Sequence, residues 1–192
     1  MWVWSLNWGE IRQDLVIGSC PILPADIDRI CDDTAVSAVL SVQTDQCRAA
    51  LGIDSRLLEE HALRRGVLLD NVPIRDFDAE DQRKRLPSAI RRLSELLAEG
   101  RRTYIHCTAG INRAPLVVLG YLTFVEGMAV PDALSLIQQG RREASPYWDA
   151  YYGCREDVLA PYQAELIRDS GAEREILRRV CAGLPMKPER RR

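Results

Sequence analysis

Cys107 and Arg113 enclose five residues, Thr108, Ala109, Gly110, Ile111 and Asn112, in the run YIHCTAGINRAP. That pairing suits chemistry at phosphorus. A thiolate is a strong nucleophile, and a guanidinium offers a planar fork matched to two oxygens of a phosphoryl group. The run also reads as a short strand, Thr103–His106, then a loop, then a helix with Pro115 in its first turn. Loop N–H groups and the positive end of the following helix then converge on one spot, an anion cradle. The same positive end favours the thiolate form of Cys107. Gly110 permits close backbone approach, and Asn112 is a type that tolerates a left-handed turn. His106 reads as a hydrogen-bonded structural neighbour of the nucleophile rather than a base.

Helical and extended segments alternate around this loop. Strands are expected at 14–18, 37–42 and 66–74, and a short helix at 24–32. Asp54 caps a helix through Arg65, with Leu57, Leu58 and Ala62 on one face and Gly66 as its stop. The charged run RDFDAEDQRKR reads as a break, after which Pro87 opens a helix closed by Gly100. The apolar stretch from Ala114 to Val125 is interrupted by Pro115, Gly120 and Thr123 and stops at Glu126. A membrane span needs about 20 apolar residues, so this is a buried core helix. Two more helices are expected, near 131–139 and from about 152 to 167. Strands separated by helices predict an α/β fold with a single central sheet flanked by helices.

The chain has 192 residues, which fits one domain of the usual roughly 100–200. The expected division is a catalytic unit over 1–167, with a helical extension and a basic, disordered tail over 168–192. Net charge is −2, and residues 173–192 carry seven Arg or Lys against three Glu. The body is therefore mildly acidic, and neither nucleic acid nor an anionic membrane is an expected partner. Six cysteines stand singly with no CxxC pair, and there are two histidines. No ligand set for structural zinc is visible, so neither metal nor other cofactor is expected. No secretory signal is visible at MWVWSLNWGE, which points to free thiols in a reducing cytoplasm.

HC-x5-R between a strand and a helix resembles the active-site loop of the cysteine-dependent tyrosine and dual-specificity phosphatases. More narrowly, HCTAG-x-x-RAP preceded by RDFDA-x-D-x-R-x-RLP is similar to the plant glucan phosphatases related to laforin. The N-terminal pattern of Asn7, Ile11, Arg12, Asp14, Leu15, Gly18 and Ser19 is similar too, as is Pro146-x-x-Asp149-Ala150. The resemblance covers about residues 7–160 and implies the dual-specificity phosphatase fold. It implies Cys107 as nucleophile, Arg113 with the loop amides as phosphate ligands, and Asp76 as the general acid. An acid there must be protonated in the complex, so an acidic optimum follows. Asp78 and Asp81 are alternatives in the same loop, read by themselves as solvated charge.

The implied substrate is phosphorylated glucan, with a phosphoprotein as the rival and a non-catalytic binding module as a third reading. Cys107, Arg113 and Asp76 together speak against the module. Ala114, directly after the arginine, matches the glucan enzymes, whereas most dual-specificity phosphatases carry a hydroxyl there. Sugar rings stack on aromatic faces, which makes Trp8, Phe77 and Trp148 the candidate glycan contacts. Two departures stand out. Ala50-Leu51 replaces the aromatic pair that the plant enzymes place before Gly-x-Asp, and Asn112 replaces a glycine. A separate carbohydrate-binding domain would need about 100 further residues, so sugar recognition is expected from this domain's own surface.

Overall fold

The computed structural model describes residues 4–169 and 171–186. The KPERRR tail, read above as disordered, lies outside the described residues. Five strands form one mixed sheet: β1 (Trp8–Arg12), β2 (Leu15–Gly18), β3 (Ala38–Ser41), β4 (Leu68–Asn71) and β5 (Thr103–His106). Their order is β1-β2-β5-β3-β4, with β1 antiparallel to β2 and all other neighbours parallel. β5 is therefore central, flanked by β2 and β3.

Alternation along the strands divides the core in two. Leu15, Ile17, Ala38, Leu40 and Ile105 face the larger cluster, while Val16, Val39 and Tyr104 face the smaller one. The smaller face is covered by α1 (Pro24–Thr34) and α3 (Ser55–Arg64) through Ile27, Ile30, Leu58 and Ala62. The other face carries α4 (Ala79–Ala98), α5 (Arg113–Gly120), α6 (Val130–Gly140), α7 (Trp148–Leu159) and α9 (Ala172–Ala182). Two short helices, α2 (Asp45–Ala50) and α8 (Gln163–Arg168), complete the set. A sheet covered on both faces explains why β2, β3 and β5 are buried along their whole length.

Several expected boundaries move. The charged run before Pro87 is helical, because Asp78 caps α4 by accepting from Asp81 N at 3.0 Å. Buried Gln82 and Leu86 anchor those first turns, so Pro87 lies inside the helix rather than opening it. The late helix begins at Trp148, which is its first residue rather than part of a loop, and Pro161 divides its continuation. β1 and α2 lie in stretches where no element was expected. α9 is integral to the larger core, contributing Ile176, Leu177 and Cys181. After α5 the chain loosens into a π-helical turn, Tyr121–Val125, whose Thr123 hydroxyl donates to Leu119 O and accepts from Tyr151.

Candidate active site

The Cys107–Asn112 loop leaves the C-terminal end of the central strand, where open α/β sheets bind their ligands. Cys107 is 3% exposed, and its Sγ accepts from the Gly110 amide at 3.2 Å. Gly110 has φ +69°, and a Cβ there would lie 2.4 Å from the Gly18 carbonyl oxygen. Only glycine fits both the conformation and the space. The loop is tied to β2 by Cys20 N donating to Thr108 O at 3.0 Å. On the β3 side, Gln43 Nε2 donates to the Thr108 hydroxyl at 3.1 Å.

Arg113, the first residue of α5, is fully buried. Its Nη1 donates to Ile74 O at 3.0 Å and to Cys47 Sγ at 3.4 Å. Its Nη2 donates to Asp76 Oδ2 at 2.6 Å and to the Thr108 hydroxyl at 3.2 Å. Its Nε is buried without a hydrogen-bond partner among the described residues. A buried guanidinium holding one unpaired donor is costly to leave so, and an anion's oxygen would satisfy it. The neighbouring carboxylates are engaged in local structure: Asp78 caps α4, and Asp81 accepts from Arg75 N at 2.8 Å. Among these three acids, only Asp76 bonds to Arg113.

His106 Nδ1 faces the Cys107 carbonyl at 3.0 Å, and burial pushes this imidazole down to about 4. The ring is therefore neutral near pH 7, carrying its proton on Nδ1 toward that carbonyl. A neutral histidine fixes the backbone at the nucleophile and leaves the cradle's positive charge to Arg113.

A buried thiol that accepts from the Gly110 amide and a buried guanidinium at the other end of the same loop form a candidate phosphate-binding loop. Residues 33–149 match the family described as dual specificity phosphatase, catalytic domain. The chain belongs to that family. The amyloplastic phosphoglucan phosphatase DSP4 of Castanea sativa is 33% identical over 165 residues, covering 85% of this chain and 44% of that protein. The chloroplastic phosphoglucan phosphatase LSF1 of Arabidopsis thaliana is 28% identical over 185 residues, covering 81% of this chain and 31% of that protein. The chain thus spans less than half the length of either relative. PTPMT1 shares the fold, with a TM-score of 0.62 at 18% identity over 85% of this chain and all of that one.

Within this dual-specificity phosphatase domain the three expected aromatic contacts separate. Phe77, next to Asp76, is 87% exposed with φ 55°. Trp148 is 36% exposed and stacks on Tyr152 at 5.9 Å. It shares with Asn112 of the catalytic loop a groove of about 390 Å³. Trp8 sits elsewhere, on the smaller core, edge-on to Tyr104 at 6.5 Å and beneath the Arg29 guanidinium at 5.4 Å. The structure does not bring it to the groove shared by Trp148 and Asn112.

Two residues escaped the sequence reading. Arg141, 5% exposed, donates from Nε to Gly110 O at 2.6 Å and from Nη2 to Ala109 O at 2.6 Å and Asn7 Oδ1 at 2.7 Å. It grips the loop from outside. Burial pushes this guanidinium below its ordinary value, with no carboxylate bonded to it. Its only sequence signal is Gly140, whose close approach to β1 seats the end of α6: a Cβ there would lie 2.2 Å from Glu10 O. The second is Cys47, one of the six cysteines that stand singly in the sequence. Burial raises its thiol, but bonds from Thr44 and Arg113 outweigh that and lower it overall.

Proposed function

We propose that this domain is a cysteine-dependent phosphomonoesterase acting on phosphorylated glucan. The Arg113 fork carries the reading: it joins the Cys107 loop to Asp76 at 2.6 Å and keeps a buried Nε–H free for an anion. The incoming phosphate takes over the guanidinium and releases Asp76 from its ion pair. Cys107 Sγ attacks phosphorus, forming the S–P bond as the P–O bond to the sugar breaks. Freed from the guanidinium, Asp76 takes up a proton from the phosphate monoester or from solvent and gives it to the departing oxygen. Water then attacks the phosphocysteine, Asp76 takes the proton back, and phosphate leaves with the thiolate restored. Loop amides and Arg113 hold the equatorial oxygens throughout.

Two things support a glucan as the leaving group. The relatives named above are phosphoglucan phosphatases, and Phe77 and Trp148 offer exposed rings next to Asp76 and beside Asn112. A glucan chain would lie over these rings with its phosphate in the loop. Cys107→Ser tests the chemistry: turnover falls to background, while the variant still binds phosphorylated substrate. Retained turnover would show that the thiol is not the nucleophile.

A further inference from the structure

Beside the ends of β3, β4 and β5, next to the catalytic loop, lies a second cavity of about 350 Å³. That is the small end of the roughly 300–1,000 Å³ range of ligand pockets. Ile53, Leu58 and Leu69 supply apolar wall, and buried Ser41, Gln43 and His106 line its inner part. His106 is 3% exposed, and its Nε2 has no partner among the described residues, although Nδ1 is bonded to the Cys107 carbonyl. Because Nδ1 must carry the proton to make that bond, Nε2 of the neutral ring is an acceptor. On the wall of an open cavity, this acceptor can take a hydrogen bond from a donor seated there.

The other lining groups narrow what that donor belongs to. Arg48 is engaged by Gln43 O and Asp45, and Asp70 by Arg92. The lining groups left free of side-chain bonds include the Ser55 hydroxyl and, at the exposed rim, the Glu59 carboxylate. The lining thus mixes donors and acceptors, with a residual negative charge at Glu59 that disfavours an anion, unlike the catalytic loop. A buried cation would need a buried counter-charge, and Glu59 is at the surface. An uncharged, donor-rich molecule with apolar ring faces meets every requirement.

We propose that this cavity is a second, non-catalytic site for one neutral polyhydroxylated ring, a single sugar unit, with a hydroxyl donating to His106 Nε2. It does not depend on the glucan reading of the catalytic site. The two meet through the bond from His106 to the carbonyl of Cys107 and through Gln43, which donates to the Thr108 hydroxyl.

Titration of the ¹⁵N-labelled full chain with glucose tests it. The His106 Nε2 resonance and the amides of Ser41, Ser55 and Asn71 should shift saturably. Inorganic phosphate should instead move the amides of Thr108–Arg113. Ser55→Phe fills the cavity and should abolish the glucose shifts while hydrolysis of a small aryl phosphate persists. Glu59→Leu, at an exposed helical position, removes one acceptor and should weaken binding about fivefold. An unmoved His106 would overturn the site. So would shifts confined to residues around Phe77 and Trp148, or shifts at His106 that survive in Ser55→Phe.

Discussion

Asp76 and Arg113 share an ion pair before substrate arrives, and a carboxylate held by a guanidinium does not give up a proton. In the proposed mechanism, phosphate therefore has two tasks, to occupy the fork and to free Asp76 as the acid. Removal of the acid should then matter most where the leaving oxygen is a poor leaving group. Asp76→Asn should lower kcat by about a hundred- to ten-thousand-fold on an alkyl phosphate such as a sugar ester. On an activated nitrophenyl ester the loss should be far smaller. Equal losses on both would remove Asp76 from the acid role. His106 acts on stability in the same direction as a paired carboxylate, but in a higher pH window. Its folded value is depressed to about 4 from an ordinary 6.5, so below 6.5 the unfolded chain takes up a proton that the native state refuses. Its contribution is complete above 6.5 and is lost as pH falls toward 4, about 3 kcal/mol in all. Urea unfolding at a series of pH values should show that slope, and His106→Gln should flatten it.

At the scale of elements, the catalytic loop is only as rigid as what surrounds it. β5 and α5 fix its ends, and Arg141, just past α6, fixes its middle through two carbonyls. Arg141→Met keeps the apolar stem but drops every loop bond, and a misplaced cradle can cost about a hundredfold in kcat. KM should move less, and Arg141→Lys should not rescue, because one ammonium cannot span the same carbonyls in plane. A kcat unchanged in Arg141→Met would make the grip structural only. This grip was not legible in sequence, although the loop itself was. Cys107, Gly110 and Arg113 lie in one strand–loop–helix unit whose chemistry is local. Arg141 acts across 31 residues, and next to Arg142 it looks like any solvated charge. Pro87 misled for a related reason: its local preference marks a helix start, yet Asp78 and buried Leu86 began α4 two turns earlier. Trp8 carries the residue type of a sugar platform, but its strand register turns it onto Tyr104 and Arg29.

At the scale of the whole molecule, the electrostatics are confined rather than spread. In a chain of net charge −2, the buried arginines at the loop are Arg113 within it and Arg141 gripping it from outside. Among the described residues no helix is long and apolar enough to cross a membrane, and no group of three or more His, Cys, Asp or Glu converges as a metal site. Under the proposed function, Phe77 and Trp148 are the exposed rings near the loop that a glucan would meet. Ala50 closes α2 and Leu51 follows it, where the plant enzymes place an aromatic pair. The proposed glucan reading accordingly places a sugar platform toward α7, where Trp148 stacks on Tyr152. The measurement that bears most directly on the account is phosphate release from solubilised amylopectin, set beside release from a phosphotyrosyl peptide at equal enzyme. The account predicts that amylopectin is dephosphorylated well above a Cys107→Ser control, and that Trp148→Ala impairs this while sparing the peptide. Amylopectin release no higher than the control, with brisk turnover of the peptide, would contradict the glucan assignment and leave a protein phosphatase.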